Sequence, residues 1–182
     1  LWFIFSIPIV TLGAASSAMY RAIQHRYLNG NGTIWTPFWK AFKSSFSHAT
    51  VAWLGYVFLL IIFILNQTLL ANGFAWSWIN HFSQVFLSVA ILLLTPILVL
   101  TFAYVSRFED SLKTVLKNVF VLSIAYFKQT VYVFLVISLS IFSVYLIPIL
   151  IVFVPAFSFS RICPHLETIF NKHTAEDLLG DT

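Results

Sequence analysis

Charge is what this sequence has least of. Of its 182 residues only 9% are charged, against 60% hydrophobic. A soluble domain carries roughly 25% charged residues, and a globule of this size with so few could not cover its surface. The shortage excludes an ordinary water-soluble fold. A net charge of +4 would suggest nucleic acid in such a fold. Here the basic residues have a topological use, because Lys and Arg gather in the loops on the cytoplasmic side of membrane proteins. Cysteine is nearly absent too: Cys163 stands alone, which rules out an internal disulfide framework or a cysteine cage for a metal. No GxSxG elbow, Walker loop, HExxH or dinucleotide fingerprint occurs. The apolar runs offer mainly Ser and Thr inside, with Asn66 at an edge, so no enzyme and no cofactor is expected.

What is abundant is apolar and aromatic, with 20 Phe and 6 Trp. Aromatic side chains serve both lipid contact and the interfacial belts of membrane proteins. A span needs about 20 apolar residues. The sequence predicts an all-α polytopic transmembrane bundle of about four to five membrane segments, near 1–22, 49–66, 81–106, 130–147 and 148–161. Two cytoplasmic amphipathic helices are predicted near 37–48 and 111–127. A single membrane domain, 1–163, would precede a polar C-terminal tail, 164–182, helical around Leu166 to Phe170.

The first run opens at Leu1 without a basic leader, so it reads as a membrane segment rather than a signal peptide, with a few residues missing before it. Pro8 and Gly13 interrupt it, and Gly13, Ala14, Ser17 and Ala18 place small residues on one face. That face suits either close helix packing through Pro8, Gly13 and Ser17, or a broken helix lining a solute site. Residues 21–31 read as a polar loop with the turn signal Asn29-Gly30-Asn31-Gly32. Thr36 and Pro37 then mark a helix start. At 100° per residue Lys40, Lys43, Ser44 and Ser47 share a face opposite Phe38, Trp39, Phe42 and Phe46. The aromatic face would lie in membrane lipid or dock on protein.

The connection 66–80 has no charge and carries Trp76 and Trp78, which places it outside; its Asn66-Gln67-Thr68 triplet reads as chance. Arg107, Glu109 and Asp110, with Lys117 beyond, form a cytoplasmic charge cluster, read as a local ion pair anchoring a helix end or as a partner contact. In the helix that follows, Lys113 and Lys117 would oppose Val115, Val119, Leu122 and Tyr126. Lys128 would snorkel to the headgroups, and His48 and His81 sit at opposite span ends. The tract 131–160 would be about 45 Å long as one helix, too long for a hydrocarbon core of about 30 Å. It is one long tilted span or two segments folding back near Pro148 and Pro155; the basic residues downstream favour the second. His165, Glu167 and His173 are too loosely spaced for a metal site. A weak internal echo pairs Ile7-Pro8-Ile9-Val10 with Thr95-Pro96-Ile97-Leu98.

The stretch from Leu1 to Ala15, LWFIFSIPIVTLGAA, continuing through Ala18-Met19-Tyr20, resembles the YesL-like family of bacterial integral membrane proteins, a family of unknown function. So do Phe38-Trp39-Lys40-Ala41-Phe42-Lys43 and Arg107-Phe108-Glu109 followed by Leu116-Lys117-Asn118. The resemblance extends to about Ser160, and its P-I-V-T-L-G element is the most specific part. Such genes often lie beside carbohydrate ABC importers and glycan-degrading enzymes in Gram-positive bacteria. The resemblance therefore implies a non-catalytic accessory or assembly subunit of a carbohydrate ABC importer in the bacterial cell membrane. Its partners would be membrane lipids and other membrane proteins, the importer's permease subunits foremost, with no nucleic acid. The alternatives are a small solute transporter and an envelope-polysaccharide biosynthesis factor.

Overall fold

A computed structural model describes residues 9–30, 33–71, 77–108 and 110–180. Pro8 and Glu109, and with Pro8 one half of the internal echo, lie outside the described residues. Everything regular in that part of the chain is helical. We number the helices α1 (Leu12–Asn29), α2 (Trp35–Ala71), α3 (Ser77–Arg107), α4 (Leu112–Ala125), α5 (Phe127–Leu146) and α6 (Val154–Gly180). Among the described residues three segments are long and apolar enough to cross a membrane: Trp35–Leu69 in α2, His81–Arg107 in α3, and Phe127–Leu146, which is α5.

α1 starts from a 3-10 turn at Ile9–Thr11 and runs to Asn29, straight through the stretch expected to be a polar loop. The stretch is helical because part of it packs on other helices: Gln24 is buried and bonds Glu167, and Ala22 continues the buried stripe of Ala14, Ala15 and Ala18. Gly30 ends it with φ 70°, a region that favours glycine, and its N–H donates to the Arg26 carbonyl.

The expected interfacial helix 37–48 and the expected span 49–66 are one helix. α2 has 37 residues, about 55 Å at 1.5 Å per residue, with Pro37 tolerated in its first turn. Phe38, Ala41, Ser45 and Ala49 form its buried stripe. The predicted aromatic face is therefore divided: Phe38 is in the core, Phe42 half-buried, and Trp39 and Phe46 are exposed. Helix formation continues across 47–50, where Ala49 packs against Gly13 of α1. A Cβ built on Gly13 would collide with the Ala49 carbonyl and come within 2.7 Å of the Trp53 Cβ. The two backbones touch at that point.

α2 and α3 lie antiparallel. Ser45 Oγ donates to the Val105 carbonyl, Tyr56 and Thr95 share a 2.7 Å hydroxyl bond, and Asn66 Nδ2 donates to Ser83 Oγ. α3 continues through Pro96 without a break. Near their 72–76 connection these helices show their apolar side chains to the outside, Phe58, Ile64, Phe82 and Phe86 among them. The packed core lies at the opposite end, where Tyr20, Leu100, Tyr104, Val119, Ile162, Leu166 and Phe170 meet.

α4 begins at Ser111, whose hydroxyl accepts from the Thr114 N–H. It buries Val115, Val119 and Leu122 and leaves Lys113 and Lys117 exposed. Its outer face is not polar throughout, because Leu116, Phe120, Val121 and Ile124 are exposed as well. A single residue, Tyr126, separates it from α5.

Of the two geometries left open for 131–160, the chain takes the fold-back. α5 stops at Leu146, a 3-10 turn spans Pro148–Val152, and α6 returns beside α5. Ser140 and Ser158 share a 2.6 Å hydroxyl bond, and the Tyr132 and His165 rings lie 4.1 Å apart. α6 then passes the expected domain boundary at 163 without interruption. The stripe Ile162, Cys163, Leu166, Ile169 and Phe170 is buried, so this part of the predicted polar tail belongs to the core.

Candidate functional site

Every Lys and Arg of the chain lies outside 44–106. Because α2 and α3 are antiparallel, the first turns of α2 and the last turn of α3 bring their cations to one end of the bundle. Polar side chains of α1 and α6 join them there.

The centre of this end is Glu167 on α6, which sequence reasoning considered only as a loosely spaced metal ligand. The residue is 4% exposed. Its Oε1 accepts from Tyr20 OH at 2.7 Å and from Gln24 Nε2 at 2.8 Å, both on α1. Its Oε2 takes Arg107 Nη1, at the end of α3, at 2.6 Å. Arg107 Nη2 donates to Asn171 Oδ1 at 2.8 Å, and the guanidinium lies 5.4 Å and 5.7 Å from the ring centroids of Phe108 and Phe170. An isolated buried carboxylate is very unfavourable; three donors, one of them a cation, make this one tolerable.

Arg107 is anchored over a long range, with Glu167 and Asn171 both supplied by α6; a local ion pair with Glu109 falls outside the described residues. Asp110 accepts from Tyr104 OH at 2.7 Å, and that hydroxyl accepts from Asn118 Nδ2 at 2.9 Å. This ties the start of α4 to α3. Lys117 is exposed on α4. Cys163, fully buried beside Glu167 and Tyr20, has its thiol pushed up to about 12, by burial first and by the neighbouring carboxylate second. Among the described residues no three His, Cys, Asp or Glu side chains stand close enough to hold a metal ion.

Gly13 and Ser17 lie where α1 meets α2 and α3. Gly13 faces Ala49, and Ser17 Oγ donates to the Phe102 carbonyl at 3.0 Å. On α2 the aromatic residues form a ladder. Trp35 and Trp39 stack with centroids 6.5 Å apart, Trp39 and Phe42 at 5.7 Å, and Phe46 meets Phe42 edge-on at 5.6 Å. Lys43 Nζ sits 5.3 Å from the Trp39 centroid.

In front of Arg107 lies a groove of about 740 Å³ between α1, the first turns of α2 and the end of α3. Arg21, His25, Lys40 and His48 line it together with Arg107. Little in the sequence signals such a groove: Arg21 and Lys40 stand in different predicted segments, and the helical continuation of α1 to Asn29 brings both to its lining.

The fold thus defines a class: among the described residues it is all-helical, with three helices long and apolar enough to cross a membrane. Residues 1–67 match the model of a family described as "Protein of unknown function, DUF624". That match covers α1 and most of α2 and names no activity. No curated protein and no solved structure matches the chain.

Proposed function

We propose that this chain is a non-catalytic accessory or assembly subunit, multi-pass in a bacterial cell membrane. It acts by helix contact on the permease subunits of a carbohydrate ABC importer. The observation that carries the reading is the aromatic ladder of α2. Trp35, Trp39 and Phe46 keep open outer surfaces while stacking holds their rings in a fixed row on a helix that continues into an apolar, membrane-length stretch. Rigid aromatic side chains lose little entropy on binding and anchor many interfaces. The importer as partner rests on the resemblance to the YesL-like family. The residues quoted for it at 1–20 and 38–43 lie within the matched region 1–67.

Two further observations support a structural rather than a chemical role. Glu167 has both oxygens engaged by donors. The groove between α5 and α6, about 320 Å³, is lined by apolar side chains apart from Ser140 and Ser158, whose hydroxyls bond each other. A solute path through this particular groove would need polar groups that its lining lacks.

A photo-crosslinking residue at Trp39, in the full chain expressed in its native host, tests the reading. Adducts with importer permeases are the expected result. Adducts confined to lipid, with no permease among purified partners, would overturn it.

A further inference from the structure

We propose that the basic groove at the packed end of the bundle binds a phosphate anion, carried by a lipid headgroup or by a soluble phosphorylated molecule. Three permanent cations converge on it from three helices, Arg21 on α1, Lys40 on α2 and Arg107 on α3, with the imidazoles of His25 and His48 beside them. The hydroxyl residues Thr36 and Ser44 line the same space, and among the described lining residues there is no carboxylate. Glu167 pairs with Arg107 from behind, but among the described lining residues no carboxylate faces Arg21 and Lys40, and a bound anion offsets the repulsion between cations held together in this way.

The cations are also held in place. Glu167 and Asn171 fix the Arg107 guanidinium. Gln24 does the same for Arg21: its Oε1 accepts from Arg21 Nη1 at 2.5 Å while its Nε2 is committed to Glu167. The buried carboxylate therefore orients two groove cations, one directly and one through Gln24. An arginine so oriented presents its remaining N–H groups as a planar fork, the geometry that fits phosphate oxygens. The first turn of α2, from Trp35, borders the groove, and the positive end of a helix dipole adds to the same field.

The volume of about 740 Å³ is in the range of small-molecule sites and holds a phosphorylated headgroup or metabolite. On α2 the lining runs from Thr36 to His48, across the point after Lys43 where charged sequence gives way to apolar sequence. Lipid headgroup phosphates likewise border the apolar core of a bilayer.

The test uses the full chain in two arms. In the first, native mass spectrometry of the detergent-purified protein counts retained lipid after addition of phosphatidylglycerol or of phosphatidylcholine. In the second, inorganic phosphate is titrated calorimetrically into the protein in phosphatidylcholine nanodiscs. The variants are Lys40→Gln, at an exposed position that leaves folding intact, and Arg21→Gln/Lys40→Gln. The control is Lys113→Gln/Lys117→Gln on the exposed face of α4.

Saturable binding of either probe that weakens about tenfold for each groove cation removed, with the α4 control unchanged, is the expected result. Retention of phosphatidylglycerol identifies a headgroup as the source, and a calorimetric phosphate isotherm identifies a soluble one. Binding of neither probe overturns the proposal. Equal loss in the groove and control variants also overturns it, because that pattern is non-specific charge attraction.

Discussion

Arg107 and Glu167, 60 residues apart in sequence, meet at 2.6 Å and close the bundle at its charged end. The carboxylate is nearly inaccessible while the guanidinium side chain keeps 21% of its surface. The pair therefore has one desolvated partner and one that reaches solvent. That asymmetry, with Tyr20 and Gln24 completing the carboxylate shell, decides how the fold responds to substitution. The same pair also holds one wall of the basic groove.

Glu167→Ala removes the acceptor of three donors at once and leaves Arg107, Tyr20 and Gln24 facing each other. Breaking a buried pair from one side costs about 3–5 kcal/mol. Unfolding in graded denaturing detergent should show a loss of that size. Glu167→Gln keeps an acceptor for Tyr20 and should lose clearly less. Equal losses in the two variants would mean that volume, not hydrogen bonding, matters at this position.

The contact of α1 with α2 sets a second scale. Gly13→Leu must displace the Ala49 backbone, not a flexible side chain, and overpacking of this kind costs about 1–3 kcal/mol. Ser17→Ala removes only the bond to the Phe102 carbonyl. Helix-to-helix hydrogen bonds in bilayers average about 0.6 kcal/mol. The same unfolding assay should rank Gly13→Leu well above Ser17→Ala, and a reversed order would place the close approach elsewhere.

Cys163 makes a prediction about pH. Its thiol pKa is raised from 9.0 to about 12, so the neutral form persists and the reactive thiolate is scarce. At pH 8 the thiolate fraction should be about 1,000-fold below that of an unperturbed thiol. Maleimide labelling of the folded protein should be very slow at that pH and still accelerating above pH 9, where an ordinary thiol levels off. Denaturation in detergent should release fast labelling. Rapid labelling of the folded chain at pH 8 would show that the packing around Cys163 opens readily.

Part of this arrangement was legible in the sequence and part was not. The helical wheel of 36–48 grouped Lys40, Lys43, Ser44 and Ser47, and all four are exposed. Of the two placements open for the aromatic face, Phe38 takes docking on the chain's own helices, beside the small residues Ala41, Ser45 and Ala49 that mark the packing stripe and that the large rings overshadow in the sequence. The stripe Ile162, Leu166, Ile169 at helical spacing was readable in the tail, yet composition suggested a polar appendage. Glu167 was out of reach for another reason. Its partners Tyr20 and Gln24 lie 147 and 143 residues away, and no local pattern encodes a contact that only the return of α6 across the bundle creates.

The unbroken α2 gives a length that can be measured. Lys40 and Leu65 are both exposed and 25 residues apart in sequence, so a straight helix separates their backbones by about 37 Å. A bend near residue 48, with the first part lying flat in the interface, would shorten this to about 28 Å by the same rise per residue. Spin labels at Lys40→Cys and Leu65→Cys, in a Cys163→Ala background, should give a pulsed-resonance distance near the larger value, allowing for the label arms. The distribution should also be narrow, because Ser45 bonds Val105 and Tyr56 bonds Thr95 on either side of residue 48. A broad distribution centred on the shorter distance would place a hinge there, and the aromatic ladder would then be free to lie in the headgroups instead of projecting as a rigid extension of the membrane helix.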